Sequence, residues 1–307
     1  MSSVDNLYRV LCSLEAGYPC IDADETWCVF RLTTSEYDDL HQRIQGDEKL
    51  RGYYEDKIYY DWEAPCVGRS KGKYVLRQRG SNYEKYFKAE VTEAIRDEVK
   101  ALALRLEETG DTNTASELRL VRNGGSPALE FSVPNGTEHK QHIQRCPDVT
   151  FFYSRKTYFP ALVAEFAYPQ QEKCLKRLAH SYIMGSRHRI GCMIGFDLPK
   201  RPRKGRYRDD ETPTAVKEEE PRAATVSVWR CATRTNGDGK TVGTLTCDLD
   251  AVPFRSVSGD ACDGALKLDI SDLLPHSVAM TLSPSERTVC IPFAKLSTLL
   301  NEAEDLI

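Results

Sequence analysis

The chain has 307 residues, 40% of them hydrophobic, and a formal net charge of −4. That length suits one large domain or two small ones with a buried core, and that charge excludes polyanion binding through net charge alone, so any nucleic-acid contact needs a local basic patch. Eleven cysteines with no CxxC pair, and six histidines without zinc-ligand spacing, exclude a zinc-ribbon pattern and read as mostly buried thiols in a reducing compartment.

The opening MSSVDNLYRVLCSLEAGYPC has no basic n-region and no long apolar run, so it does not read as a signal peptide. No stretch approaches the roughly 20 apolar residues that span a bilayer. The expectation is an intracellular protein, nuclear or cytoplasmic, with no membrane partner. A helix is predicted over Val4 to Glu15 and a strand over Glu25 to Leu32. Thr34 or Ser35 can cap the helix that follows, and a second helix is predicted around Asp47 to Lys57. Ile58 to Trp62 and Lys73 to Gln78 read as short strands, and their aromatic residues as core.

The clearest helix runs from Tyr83 to Glu108, with Phe87, Val91, Ile95 and Leu102 on one stripe. Glu84 falls on this inward side; it is also placed to complement the helix dipole. Glu117 to Arg122 and Ala128 to Val133 read as a hairpin around Asn123-Gly124-Gly125-Ser126. Two mostly apolar strands then follow. Asp148 opens one and Glu165 sits near the end of the other. An acid in an apolar run is costly to bury without a partner, and two on neighbouring strands can share a divalent cation. Asp148 also suits a turn cap after Pro147, and Glu165 a strand-end surface acid.

Gln171 to Met184 is predicted as a helix and Arg189 to Leu198 as a strand. Pro199 to Arg222 is a basic block followed by an acidic one, expected to be a disordered loop whose basic half suits an import signal or a phosphate-binding strip. Strands are predicted over Ala223 to Thr233, Thr241 to Leu249, Ala265 to Ile270 and Thr288 to Phe293, with a closing helix over Ala294 to Leu306.

The segment PDVTFFYSRKTYFPALVAEFAYPQQEKCLKRLAHSYIMGS resembles the core of the fungal PD-(D/E)xK nuclease-like proteins. In that family a PD-x-x-F strand precedes a strand ending E-V-A/S-Y-S-Q and a K-x-L-x-x-L-A-x-x-Y-I helix. Upstream, YVLRQRGSNYEKYF resembles the family's strand and helix start, which aligns Glu84 with its helix acid. The resemblance runs from about Phe30 onward. It implies an α/β, restriction-endonuclease-like fold, with a central mixed sheet flanked by helices. Residues 1–80 then form an N-terminal α/β segment packed on a nuclease-like core at 81–198. A charged loop spans 199–222, and 223–307 completes the same domain.

The resemblance also implies a Mg²⁺ or Mn²⁺ phosphodiesterase site. Asp148 and Glu165 would hold the metal, Glu84 would join directly or through water, and Gln170 and Lys173 would position the attacking water. The expected partner is nucleic acid, DNA ahead of RNA, and many nucleases of this fold work as homodimers. Three departures stand out: Ala167 where a lysine is usual in the wider fold, Tyr83 for a histidine, and Pro169 for a serine. The alternative reading is therefore a catalytically inactive protein of this fold that binds nucleic acid or a protein partner.

Overall fold

The computed structural model describes residues 2–18, 27–77, 82–135, 139–154, 157–167, 174–199, 223–235, 241–282 and 287–306. Side-chain caps set the first helices. Ser2 and Asp5 form a capping box at the start of α1 (Ser3–Glu15). After strand β1 (Trp27–Leu32) comes α2 (Thr34–Gly46), capped by Thr33 rather than by Thr34 or Ser35. Thr33 takes the role because Glu36, three residues on, accepts a bond from its amide at 2.8 Å. Asp47 caps α3 (Glu48–Lys57), and strands β2 (Tyr59–Glu63) and β3 (Gly72–Arg77) follow.

Helix α4 (Asn82–Glu108) carries the predicted stripe and ends near Gly110, whose φ of 86° is the left-handed backbone that favours glycine. The next stretch corrects the sequence reading. Asp111 caps a short helix, α5 (Thr112–Leu118), and the predicted hairpin does not form. Instead β4 (Val121–Gly125) pairs with β7 (Val149–Tyr153), and β5 (Leu129–Asn135) pairs with β6 (His139–Arg145). The Asn-Gly-Gly run ends an edge strand at a bulge, where Asn123 Oδ1 accepts from the Gly125 amide. At the same edge Arg122 Nη1 donates to the carbonyls of Arg119 and Val121. Strand β6 is not expected from its sequence, HKQHIQR, which has one aliphatic residue and no apolar alternation.

Strand β8 (Leu162–Ala167) pairs antiparallel with β7. Helix α6 (Leu175–Gly185) then leads to β9 (Cys192–Asp197), parallel to β8. Parallel neighbours need such a crossover. Strands β10 (Ala224–Thr235) and β11 (Thr241–Arg255) extend the sheet. The chain closes through β12 (Ala265–Asp269), α7 (Ile270–Leu273), α8 (His276–Ala279), β13 (Thr288–Pro292) and α9 (Phe293–Asp305). Residues 200–222 of the expected charged loop lie outside the described residues.

The result is a mixed α/β structure. One sheet has the order β1-β3-β2-β6-β5, the second β11-β10-β9-β8-β7-β4, and a third pairs β12 with β13. The β5–β6 hairpin belongs to the first sheet, so a boundary at residue 80 does not separate the sheets. Strand β8 is buried along its length, as a strand covered on both faces must be. Leu162, Ala164 and Phe166 pack with α4 and α9, whereas Val163 packs with α6 and the β5–β6 hairpin. No described helix is long and apolar enough to cross a membrane.

Among the described cysteines none forms a disulfide, and only Cys146 and Cys192 are buried, which corrects the expectation of mostly buried thiols. Strand alternation turns others outward; Cys290, between buried Val289 and Ile291, is one.

Phe87 is fully buried and meets Phe166 edge-on at 5.8 Å and Phe254 in a stack at 6.2 Å. Replacing Phe87 by alanine is expected to cost about 3–5 kcal/mol, read as a lower midpoint in urea unfolding.

Candidate active site

The β7–β8 ladder runs as far as Val149 opposite Ala164. One residue further on each chain stand Asp148 and Glu165, turned to the other face of the sheet by strand alternation. Like charges facing each other on adjacent strands repel, so the pair calls for a cation. Glu165 is 0% exposed and the Asp148 side chain 21%.

Backbone and side-chain donors orient both acids. The Phe166 amide donates to Asp148 Oδ2 at 2.8 Å. Tyr182, on α6, donates its hydroxyl to Glu165 Oε1 at 2.5 Å. The other two oxygens converge: Asp148 Oδ1 lies 3.9 Å and Glu165 Oε2 3.5 Å from one nitrogen, Arg77 Nη1.

Arg77 arrives from β3 of the other sheet. Its Nη2 bonds Asp61 Oδ2 at 2.6 Å and its Nη1 donates to the Cys146 carbonyl at 2.8 Å. Asp61 Oδ1 accepts from the Cys146 amide at 3.1 Å. Cys146 lies where the chain leaves β6 of one sheet for β7 of the other. The ion pair therefore grips the backbone at the crossing from both sides. Arg145 lies 3.9 Å from Asp61 and pairs with Glu63.

Burial alone would raise both acids of this cluster. Arg77 and Arg145 beside Asp61, and Arg145 beside Glu63, outweigh it and hold both below the usual carboxylate range. The Tyr182 phenol moves the other way: burial, then the charge of Glu165, push it up and keep its proton in place.

Of the residues singled out in the sequence, Asp148 and Glu165 are thus brought together. Glu84 is half-buried on the first turn of α4. Its neighbours Tyr83 and Phe87 pack on the sheet face that carries Phe166, the face opposite Glu165. Among the described residues no three acidic, histidine or cysteine side chains form a group that could hold a metal. Gln170 and Lys173 lie outside the described residues. The sequence reading assigned no role to Arg77 or Asp61. Their trace was slight: each stands among aromatic and apolar residues, but each strand carries a second charge, Lys73 on β3 and Glu63 on β2.

The two acids suit a hard divalent cation. Mg²⁺ is commonly held by one or two carboxylates with water completing its shell, and Arg77 Nη1 shows that both acids can address one positive centre. Arg77 itself is anchored by Asp61 and Cys146; its distances to Asp148 and Glu165 exceed hydrogen-bond length.

Removing Arg77 strands buried acids, so Arg77→Ala is expected to lower stability by about 3–5 kcal/mol. The depressed acids also set a pH signature. Their contribution is present above their unfolded pKa values, near about 4, and is lost as pH falls through the lower folded values. The urea midpoint of the native protein should therefore drop on acidification below about pH 4, and Arg77→Ala should show a shallower drop.

Compared with protein-family models, curated proteins and solved structures, the chain finds no match in any of the three.

Proposed function

We propose that the chain is a nuclease-like protein of the PD-(D/E)xK type, with a restriction-endonuclease-like fold. In this reading it hydrolyses phosphodiester bonds of nucleic acid, DNA ahead of RNA, with a Mg²⁺ or Mn²⁺ ion held by Asp148 and Glu165. The observation that carries the proposal is the convergence of Asp148 Oδ1 and Glu165 Oε2 on one cationic nitrogen. The fold reading is supported by a mixed sheet with one parallel step through α6, and by helices on both of its faces.

A divalent ion bound there supplies an acidified water and neutralises charge on the scissile phosphate. The chain's own groups hold and orient. The Phe166 amide fixes Asp148, and Tyr182 fixes Glu165. Arg77 contributes fixed positive charge at the same point, in a setting where preorganised charge acts strongly. Gln170 and Lys173 keep their proposed part in positioning the water.

A second reading is favoured by Arg77. A guanidinium within 4 Å of both acids balances them without metal, and the same fold then binds nucleic acid or a protein partner without cutting it.

Plasmid and single-stranded DNA incubated with purified protein in Mg²⁺, Mn²⁺ or EDTA separates the two. Metal-dependent cutting that disappears in Asp148→Ala and Glu165→Ala is the expected result. Mg²⁺ at about a hundredfold over its dissociation constant should also stabilise the native protein by about 2.7 kcal/mol, and leave the melting temperature of Asp148→Asn unchanged. No cutting together with no Mg²⁺-induced rise assigns the site to the metal-free reading.

A further inference from the structure

We infer that Arg31, Lys73 and Arg177, with Arg145 beneath them, form a track for the phosphate backbone of a nucleic-acid strand, running along the first sheet toward the acid pair. The choice of ligand rests on the nuclease-like reading; the track itself rests on the charges described next.

Strand β3 alternates. Tyr74 and Leu76 face the cluster built with α1, α2 and α3, which leaves Lys73, Val75 and Arg77 on the face toward α6. Arg31 on β1 stands opposite Lys73, and Lys73 stands opposite Glu63 on β2. From α6, Arg177 Nη2 comes within 3.9 Å of Glu63 Oε1, to which Arg145 is already paired. Among the described residues Glu63 thus sits beside Lys73, Arg145 and Arg177, with Arg31 on the next strand; Arg145 also has Asp61 at 3.9 Å.

Two observations show the imbalance. Lys73 has its pKa lowered by burial first and by Arg177 next, with Arg31 and Arg145 adding, despite the pull of Glu63. Arg31 and Lys73 also face each other across adjacent strands, an arrangement that costs stability. An incoming polyanion would relieve both.

The track is reachable. Arg31 is exposed, Lys73 is partly exposed, and the Arg177 side chain is 55% exposed. Beyond Lys73 this face of β3 is buried at Val75 and Arg77, so the reachable cations are Arg31, Lys73 and Arg177. The other basic cleft, beside α4 and α5, differs in kind. Of its cations, Arg96, Lys100 and Arg119 each hold an acid of their own, Glu93, Asp97 and Glu107, and Arg122 donates to backbone carbonyls. They have less charge to offer a phosphate.

The test is binding of a short fluorescein-labelled DNA strand, followed by anisotropy in EDTA across a salt series. Without metal, cutting does not enter the measurement. The triple variant Arg31→Gln, Lys73→Gln, Arg177→Gln should bind at least about tenfold more weakly at low salt, and the slope of log K against log salt should fall by about 2, near 0.7 per lost phosphate contact. The control triple Arg96→Gln, Lys100→Gln, Arg119→Gln should bind as the native protein does. Should the first triple unfold, Arg177→Gln alone, on the exposed side of α6, should lower the slope by about 0.7.

No binding by the native protein, native-like binding by a folded track variant, or an equal loss in the control triple would each overturn the track. Metal-dependent cutting alongside any of these would leave the nuclease reading standing. Track-dependent binding with no cutting would leave the track standing and sink the nuclease activity.

Discussion

Everything in this structure turns on the buried contact between Arg77 and Asp61 at the place where the chain passes from one sheet to the other. An isolated charge in such a place costs several kcal/mol. Arg77 therefore has to be met by Asp61, and Asp61 in turn by the Cys146 amide. Those requirements fix the register of β2, β3 and β6 relative to the start of β7. A slip of one residue would turn Arg77 into the aromatic cluster of the first sheet and take its charge away from Asp61, Asp148 and Glu165. The ionic contact contributes definition of geometry more than net stability.

The second consequence concerns the division of charge between the sheets. Asp148 and Glu165 stand at the margin of the second sheet; the first supplies Arg77, Arg145, Lys73 and Arg31, with Asp61 and Glu63 beside them. The parallel step from β8 to β9 requires a crossover helix, and that helix brings Tyr182 to Glu165 and Arg177 to Glu63. One topological feature therefore positions both the hydroxyl that orients an acid and a cation on the sheet face beside it.

Much of this was legible in the sequence. The apolar runs around Asp148 and Glu165, the stripe on α4 and the Leu178/Tyr182 face of α6 follow from local periodicity, and all reappear in the structure. What stayed hidden depends on pairing at a distance. Nothing near Arg77 in the chain says that it will meet Glu165, because the contact joins different sheets. The predicted hairpin failed for a related reason: Asn-Gly-Gly is good turn chemistry, but β4 and β5 each find partners elsewhere. Helix α5 was obscured because its sequence, TNTASEL, is short and polar and depends on a single cap, Asp111. Glu84 is half-buried, beside the inner stripe of α4 that starts at Tyr83, and a wheel cannot show which face of the sheet the helix covers.

The edge strand β4 has a different significance. An open sheet edge is a template on which another chain's strand can add, and repeated addition builds fibres. Here β4 is five residues long, it ends in a bulge, and Arg122 already engages two backbone acceptors at its start. Head-to-tail growth through the second sheet needs both of its ends, and this end is blunted. Strand-to-strand association through the remaining edge, β11, would then stop at a pair of molecules instead of running on into an aggregate.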